Sequence, residues 1–239
     1  MESGTAPDWS SVRGVLLDVG GVLVVPRPDG LADIVKPFGG TGRRHDLVRA
    51  HLFAMARADS PAGFDWGTYY PELVHTAGVP DAARDECARE VQHAARTVPF
   101  WWSEQLPGSA QALRVLVEML PVGIVSNSDG TVQDMLATIG VCQVGPGAGA
   151  EVRTIVDSAV VGVSKPDPAI FAPALDALGV PAGSVAYVGD TVAFDVTGAT
   201  AAGLLPIHVD ALGLCPAPEG HAHVESLGEF VEALAAGRD

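Results

Sequence analysis

Residues 12–26, VRGVLLDVGGVLVVP, decide how the rest of the chain is read. A short apolar run rich in Val and Leu ends in a single carboxylate, Asp18. Gly20 and Gly21 follow, and then a second apolar run. An apolar run of this length, closed by glycines, fits a strand buried on both faces. A carboxylate at the carboxyl end of such a strand sits where open α/β sheets place ligands. The two glycines remove side chains just beyond it, so backbone N–H groups can approach an anion closely. The combination points to a nucleophile beside a phosphate cradle. Taken alone, the stretch fits equally well a strand-end Asp that caps a turn.

The whole chain bounds what that site can serve. With 239 residues it can bury a large core and hold one domain, or one domain with an insert. A formal charge of −15 argues against nucleic-acid or anionic-membrane partners, because little here would neutralise phosphates along a polymer. Cys87, Cys142 and Cys215 are widely spaced and form no C-x-x-C pair, so neither a disulfide framework nor a zinc site is expected. The polar start lacks the build of a secretory leader, and no apolar run approaches the ~20 residues of a membrane helix. The expected location is the cytoplasm.

Along the chain, residues 1–11 read as a frayed terminus and Arg27–Gly30 as a turn. From Leu31 to about Trp102 the pattern is helical: His45–Ala58, Trp66–Ala77 and Asp81–Thr97 carry apolar residues at helical spacing, with no strand-like alternation. Pro99–Gly108 is the return hinge. From Ser109 onward helices and strands alternate, with strands expected at Val122–Ser126, Ser184–Val188 and Leu205–Val209. Helices are expected at Ser109–Met119, Gly130–Ile139, Pro168–Leu178, Ala193–Ala202 and Ser226–Ala236, and further apolar segments near Thr154–Val156 and Ala159–Val163. Short strand–helix alternation implies a parallel sheet covered on both faces. The fold class is therefore α/β: a doubly wound, Rossmann-like core (1–25 and 104–239) with an inserted all-α cap (26–103).

In a parallel sheet the polar residues at the strand tips share one edge. That edge would hold Asp18, Ser126, Asn127, Lys165, Asp190 and Asp195. Three crowded carboxylates raise one another's pKa unless a cation sits among them. Oxygen ligands with few neighbours suit Mg²⁺, which binds through one or two carboxylates plus substrate phosphate. Lys165 suits a phosphoryl oxygen and Asp18. Ser126 and the amides around Val19, Gly20 and Asn127 supply further hydrogen bonds. Each residue alone has a structural alternative: a helix-start charge for Asp195, a helix cap for Ser126-Asn127, a surface position for Lys165.

The segments LLDVGGVL, IVSNS, SKPDPAIF and YVGDTVAFDVTGATAAG resemble, in order, the four motifs of the haloacid dehalogenase superfamily, and the resemblance covers nearly the whole chain. The helical insert is similar to that family's cap placed after the first strand. The resemblance implies a Mg²⁺-dependent phosphatase working through an aspartyl-phosphate. Asp18 would be the nucleophile, Ser126 would bind the transferred phosphoryl group, and Lys165 would offset charge. Asp190 would ligate Mg²⁺ with Asp18 and the Gly20 carbonyl, and Asp195 would hold metal waters or Lys165. The implied substrate is a small phosphorylated metabolite, the chain acting as monomer or homodimer.

One position departs from the pattern. Phosphatases of the family usually carry a second Asp two residues after the nucleophile, although members with Gly or Asn there include working sugar phosphatases, and this chain has Gly20. A glycine cannot move a proton, and losing a general acid–base costs ~10²–10⁴-fold in rate. Good leaving groups, or a proton carried by a cap residue or a metal-bound water, would meet the deficit. The enzyme alternative is a 2-haloacid dehalogenase with Arg49 holding halide, against which the Asp190/Asp195 pair speaks. A phosphonate-cleaving relative using Lys36, and a non-catalytic binding protein that keeps the fold, complete the alternatives. The Gly-rich residues 145–149 read as a loop, and the basic residues 42–46 as a solvated helix start or a site for a second substrate anion. His45, His51, His75 and His93 are interchangeable candidates for a substitute proton donor, and Trp101 and Trp102 read as packing residues.

Overall fold

A computed structural model describes residues 8–238. The opening stretch supplies β1 (Gly14–Leu17) and β2 (Val24–Pro26), followed by helices α1 (Pro28–Val35), α2 (Arg44–Ala58), α3 (Trp66–Thr76) and α4 (Asp81–Thr97). The chain returns through β3 (Trp102–Gln105) and α5 (Ser109–Met119) to β4 (Val122–Ser126) and α6 (Val132–Thr138). Then come β5 (Cys142–Val144), β6 (Ala150–Val152), β7 (Thr154–Asp157), β8 (Val185–Gly189), β9 (Leu205–Val209) and β10 (Ala222–Val224). Six of these strands form one sheet in the order β10-β9-β8-β1-β4-β7, every pair parallel. The chain runs outward from β1 in both directions, which makes the sheet doubly wound and places β1 at its centre.

All four residues of β1 are buried, as its unbroken apolar run requires. Val15 and Leu17 face one layer with Leu113, Leu136 and Phe230, while Leu16 faces the other with Phe171, Tyr187 and Ala174. This period-2 alternation fills both faces of the sheet from one strand.

β2 and β3 pair as an antiparallel ribbon, with Val24 opposite Gln105 and Pro26 opposite Trp102. Between them α1–α4 bury a separate cluster that includes Leu31, Leu47, Tyr69, Leu73, Val91 and Trp101. Trp102 packs against both this cluster and the sheet's own core. The boundaries expected at 25/26 and 103/104 fall inside the two ribbon strands.

Several local expectations differ from the structure. The Pro99–Gly108 hinge contains β3, because its partner β2 continues the opening apolar run. The apolar segment Ala159–Val163 overlaps a helical turn, Ser158–Val161, on which Val160 is exposed. The Gly-rich 145–149 loop joins a small parallel pair, β5 and β6. Of the frayed segment expected over 1–11, residues 1–7 lie outside the described residues. Trp9–Ser11 form a short 3-10 turn instead, and Trp9 packs edge-on to Phe230 at 5.8 Å.

Candidate active site

The tips of β1, β4 and β8 converge, and Lys165 enters the same space from a loop. Its ammonium lies 2.8 Å from Asp18 Oδ1, 2.7 Å from Asp195 Oδ1 and 2.8 Å from the Tyr187 hydroxyl. Two of its N–H groups go to Asp195 and Tyr187, and its charge also faces Asp18 as an ion pair. Lys165 is 3 % exposed, so its charge is tolerable only because both carboxylates face it. Burial alone would lower its pKa, but Asp18 and Asp195 outweigh that and raise it, keeping the ammonium charged. Asn127 fixes the loop: its carbonyl accepts the Lys165 N–H at 2.8 Å and its amide donates to the Lys165 carbonyl at 3.0 Å. The Asn127 side chain thus positions Lys165 and is not free for an anion.

Asp195 is equally committed. Its Oδ1 takes Lys165 and accepts from Tyr187 at 3.0 Å, and its Oδ2 accepts the Thr191 N–H, the Thr191 hydroxyl and the Asp190 N–H. Burial opposes its charge, yet the attraction of Lys165 and the Thr191 hydrogen bonds hold its pKa below the ordinary value. Of the two roles the sequence suggested for Asp195, holding Lys165 is the one this geometry supplies. Gly189 makes room for it: a Cβ there would come within 2.3 Å of the Asp195 carboxyl carbon.

Asp18 and Asp190 are not satisfied in this way. Asp18 Oδ1 faces the Lys165 ammonium at 2.8 Å, but Asp195 and Tyr187 share that ammonium. Burial, only partly offset by Lys165, lifts the Asp18 pKa to about 6. Asp190 accepts no hydrogen bond through its side chain among the described residues, and burial, Asp195 and Asp18 together push its pKa well up. One oxygen from each of Asp18, Asp190 and Asp195 lies within 4.8 Å of the others. Three carboxylates against one ammonium leave a buried excess of negative charge. A divalent cation with hard oxygen ligands answers that deficit, so the donor set fits Mg²⁺.

The two glycines after Asp18 serve different ends. Gly21 has φ +65, and a Cβ there would meet Asp190 Oδ2 at 1.9 Å. The Asp190 carboxylate occupies the space its missing side chain vacates. The Gly21 N–H donates to the Val24 carbonyl at 2.9 Å and closes the turn after Asp18. At Gly20 a Cβ would lie 3.5 Å from the Trp102 ring, an ordinary contact. Trp102 therefore covers the Gly20 position.

A cavity of about 330 Å³ opens over these groups. Its floor carries Asp18, Val19, Gly20, Ser126, Asn127, Lys165 and Asp190, bringing together every expected site residue except the inward-committed Asp195. Its walls are largely apolar, with Met55, Trp66 and Val98 from the helical insert facing Phe100, Trp102 and Met135, and Ser128, Asp129 and Thr131 add polar groups. Arg49, Lys36, His45, His75 and His93 are exposed and line none of it. His51 is buried behind the wall, its Nδ1 2.9 Å from the Tyr69 hydroxyl and its ring edge-on to Trp102. Arg44 of the basic cluster pairs with Asp29 and Glu104.

Sequence reading missed Asp59, Tyr187 and Asp157. Asp59, at the end of α2, accepts the N–H groups of Val192 at 2.6 Å and Ala193 at 2.9 Å, joining the insert to the segment behind Asp190. Phe64 stacks on Phe194 at 5.6 Å along the same seam. Asp157, at the tip of β7, accepts from Gly130, Val132 and Ala159 and closes the loop after Ser126. None of the three stands in a local pattern that marks its distant partner.

Known proteins place this arrangement. The family model of haloacid dehalogenase-like hydrolases matches residues 12–203. Two curated relatives are both called haloacid dehalogenase-like hydrolase domain-containing protein 3. The one from Mus musculus is 31 % identical over 136 residues, covering 55 % of this chain and 51 % of the relative. The one from Danio rerio is 39 % identical over 134 residues, covering 54 % and 52 %. The chain thus spans about half the length of these relatives. Among solved structures, a HAD phosphatase from Thermococcus onnurineus aligns with TM-score 0.55 at 20 % identity, over 95 % of this chain and all of the other. L-2-haloacid dehalogenase from Xanthobacter autotrophicus aligns with TM-score 0.55 at 20 % identity, over 94 % and 98 %. At such identity these two show the shared fold.

Proposed function

The chain belongs to the haloacid dehalogenase-like hydrolases, and from that premise we propose that it is a Mg²⁺-dependent phosphatase of small organic phosphate monoesters. The observation that carries the reading is the surplus of buried negative charge, Asp18, Asp190 and Asp195 sharing one Lys165 ammonium. A halide-displacing site has no need of that surplus charge. Arg49, the residue the dehalogenase alternative would use, is exposed and outside the cavity.

Asp18 is the nucleophile. Its free oxygen attacks phosphorus, the bond to the ester oxygen breaks, and an aspartyl-phosphate forms. Water then attacks that phosphorus and restores the Asp18 carboxylate. Lys165, held by Asp195 and Asn127, faces the charge on Asp18 and on the transferred group. The Ser126 hydroxyl and the main-chain N–H groups of Val19, Gly20 and Asn127 take the phosphoryl oxygens. Mg²⁺, held by Asp18, Asp190 and the Gly20 carbonyl, would neutralise charge on the phosphoryl group. With Gly20 unable to protonate the leaving oxygen, substrates with good leaving groups are favoured. The apolar walls select an organic portion with apolar or aromatic surface.

The test is hydrolysis of p-nitrophenyl phosphate and acetyl phosphate, with Mg²⁺ and with EDTA, beside an Asp18→Asn control. Turnover that requires Mg²⁺ and vanishes in the control supports the reading. Halide release from a 2-haloacid without metal would replace it with dehalogenation. Metal binding with no turnover of either class would leave a binding protein built on this fold.

A further inference from the structure

β9 and β10 place His208 and His223 directly opposite each other in the parallel ladder. His221 precedes His223 by two residues and faces the same side, with ring centroids 4.5 Å apart. The loop from Asp210 folds back over them because the Asp210 carboxylate accepts the N–H groups of Leu214 and Cys215 at 2.8 and 3.0 Å. That turn sets Cys215 Sγ 3.6 Å from His221 Nε2. One donor atom from each of His208, Cys215, His221 and His223 lies within 4.8 Å of all the others.

We propose that these four side chains form a zinc site, separate from the carboxylate site, that fastens the 210–221 loop to the sheet edge. Three imidazoles and one thiolate are the donor set of a closed tetrahedral zinc centre. Zinc bonds of about 2.3 Å to sulfur and about 2.0 Å to nitrogen at tetrahedral angles separate such ligands by about 3.5 Å. The Cys215–His221 distance already matches that edge. A second observation points the same way. His208 is 3 % exposed, its Nε2 lies 3.0 Å from the Asp190 carbonyl, and its Nδ1 is buried without a partner. Donation of Nε2–H to that carbonyl leaves Nδ1 with a free lone pair, the arrangement that orients a ligating histidine. The same hydrogen bond ties the zinc site to the backbone of Asp190, so an ordered loop would buttress the carboxylate site. The spacing 208, 215, 221, 223 contains no C-x-x-C pair and becomes a cluster only when β9 and β10 pair.

The test uses the full chain prepared without a histidine tag. Elemental analysis should find about one zinc per chain retained through gel filtration in Mg²⁺ buffer. Metal-stripped protein titrated with Co²⁺ should show intense visible bands and a thiolate charge-transfer band, both lost on adding Zn²⁺. Cys215→Ser should lose the charge-transfer band, and His221→Ala with His223→Ala should lose the retained zinc. Circular dichroism confirms that each variant is folded. Pale octahedral Co²⁺ spectra that are unchanged in Cys215→Ser, with no zinc retained by the native chain, would overturn the proposal. That measurement needs only the native chain and one conservative variant.

Discussion

Gly20 and Gly21 stand side by side after Asp18, yet a Cβ would meet different surroundings at each. At Gly21 it would collide with the Asp190 carboxylate, and φ +65 adds backbone strain for any side chain. Gly21→Ala should therefore displace Asp190 and cut Mg²⁺-dependent turnover by about 10²-fold, the scale of a roughly 1 Å misplacement of a catalytic group. Gly20→Ala adds only an ordinary contact with Trp102 and should leave turnover near the native value. Steady-state kinetics on the two variants checks the contrast, and equal losses would contradict it. From sequence both glycines read as openings for an anion. Gly21's real partner, Asp190, is 169 residues further along the chain, and nothing near Gly21 announces it.

The elements differ in how plainly they are written. β4 and β8 are apolar runs before polar tips, β9 is apolar apart from His208, and α2–α4 have clear helical spacing, so their bounds were legible to within a residue or two. β3 was not: three of the four residues of Trp102–Gln105 are polar, and it becomes a strand only because β2 pairs with it. Val192 and Ala193 open a π-helical turn, so their N–H groups have no partner within it and go to Asp59 on the insert. Asp59→Ala would strand two buried donors and should cost about 1–3 kcal/mol in urea unfolding. Hydrogen exchange should quicken at Val192 and Ala193 while β8 stays protected. Within the insert, burial holds the His51 pKa down to about 3 against an ordinary 6.5. The unfolded chain takes up this proton near pH 6.5 and the folded chain does not. Stability is then lost as pH falls below 6.5, approaching about 1.4 kcal/mol per unit between pH 6 and 4. Urea midpoints across that range should show the slope, and His51→Phe should remove His51's share of it.

At the scale of the whole molecule, the buried charge beneath the cavity should make folding respond to metal. The four-motif order and the parallel sheet implied the strand-tip constellation from sequence, because a carboxyl-end edge collects polar residues whatever their separation along the chain. The sequence could not show how the carboxylates divide the one ammonium once folded: Asp195 is spent on Lys165 and Thr191, Asp18 only shares Lys165, and the Asp190 side chain accepts no hydrogen bond among the described residues. Without a cation, lifting the Asp18 pKa from 3.8 to about 6 means the folded chain holds this proton more tightly than the unfolded one. Stability therefore falls as pH rises from about 4 to 6, by up to about 3 kcal/mol from this group. Mg²⁺ competes with the same proton, so its stabilisation should grow over that window and be complete above it. At 100 times its dissociation constant a ligand adds about 2.7 kcal/mol, about 5–10 °C in Tm for a chain of this size. Scanning calorimetry at pH 7.5 should show that shift with Mg²⁺. It should shrink at pH 5, and in Asp190→Asn it should vanish at both. A shift of equal size at pH 5 and 7.5, or one retained by Asp190→Asn, would place the cation elsewhere than between Asp18 and Asp190.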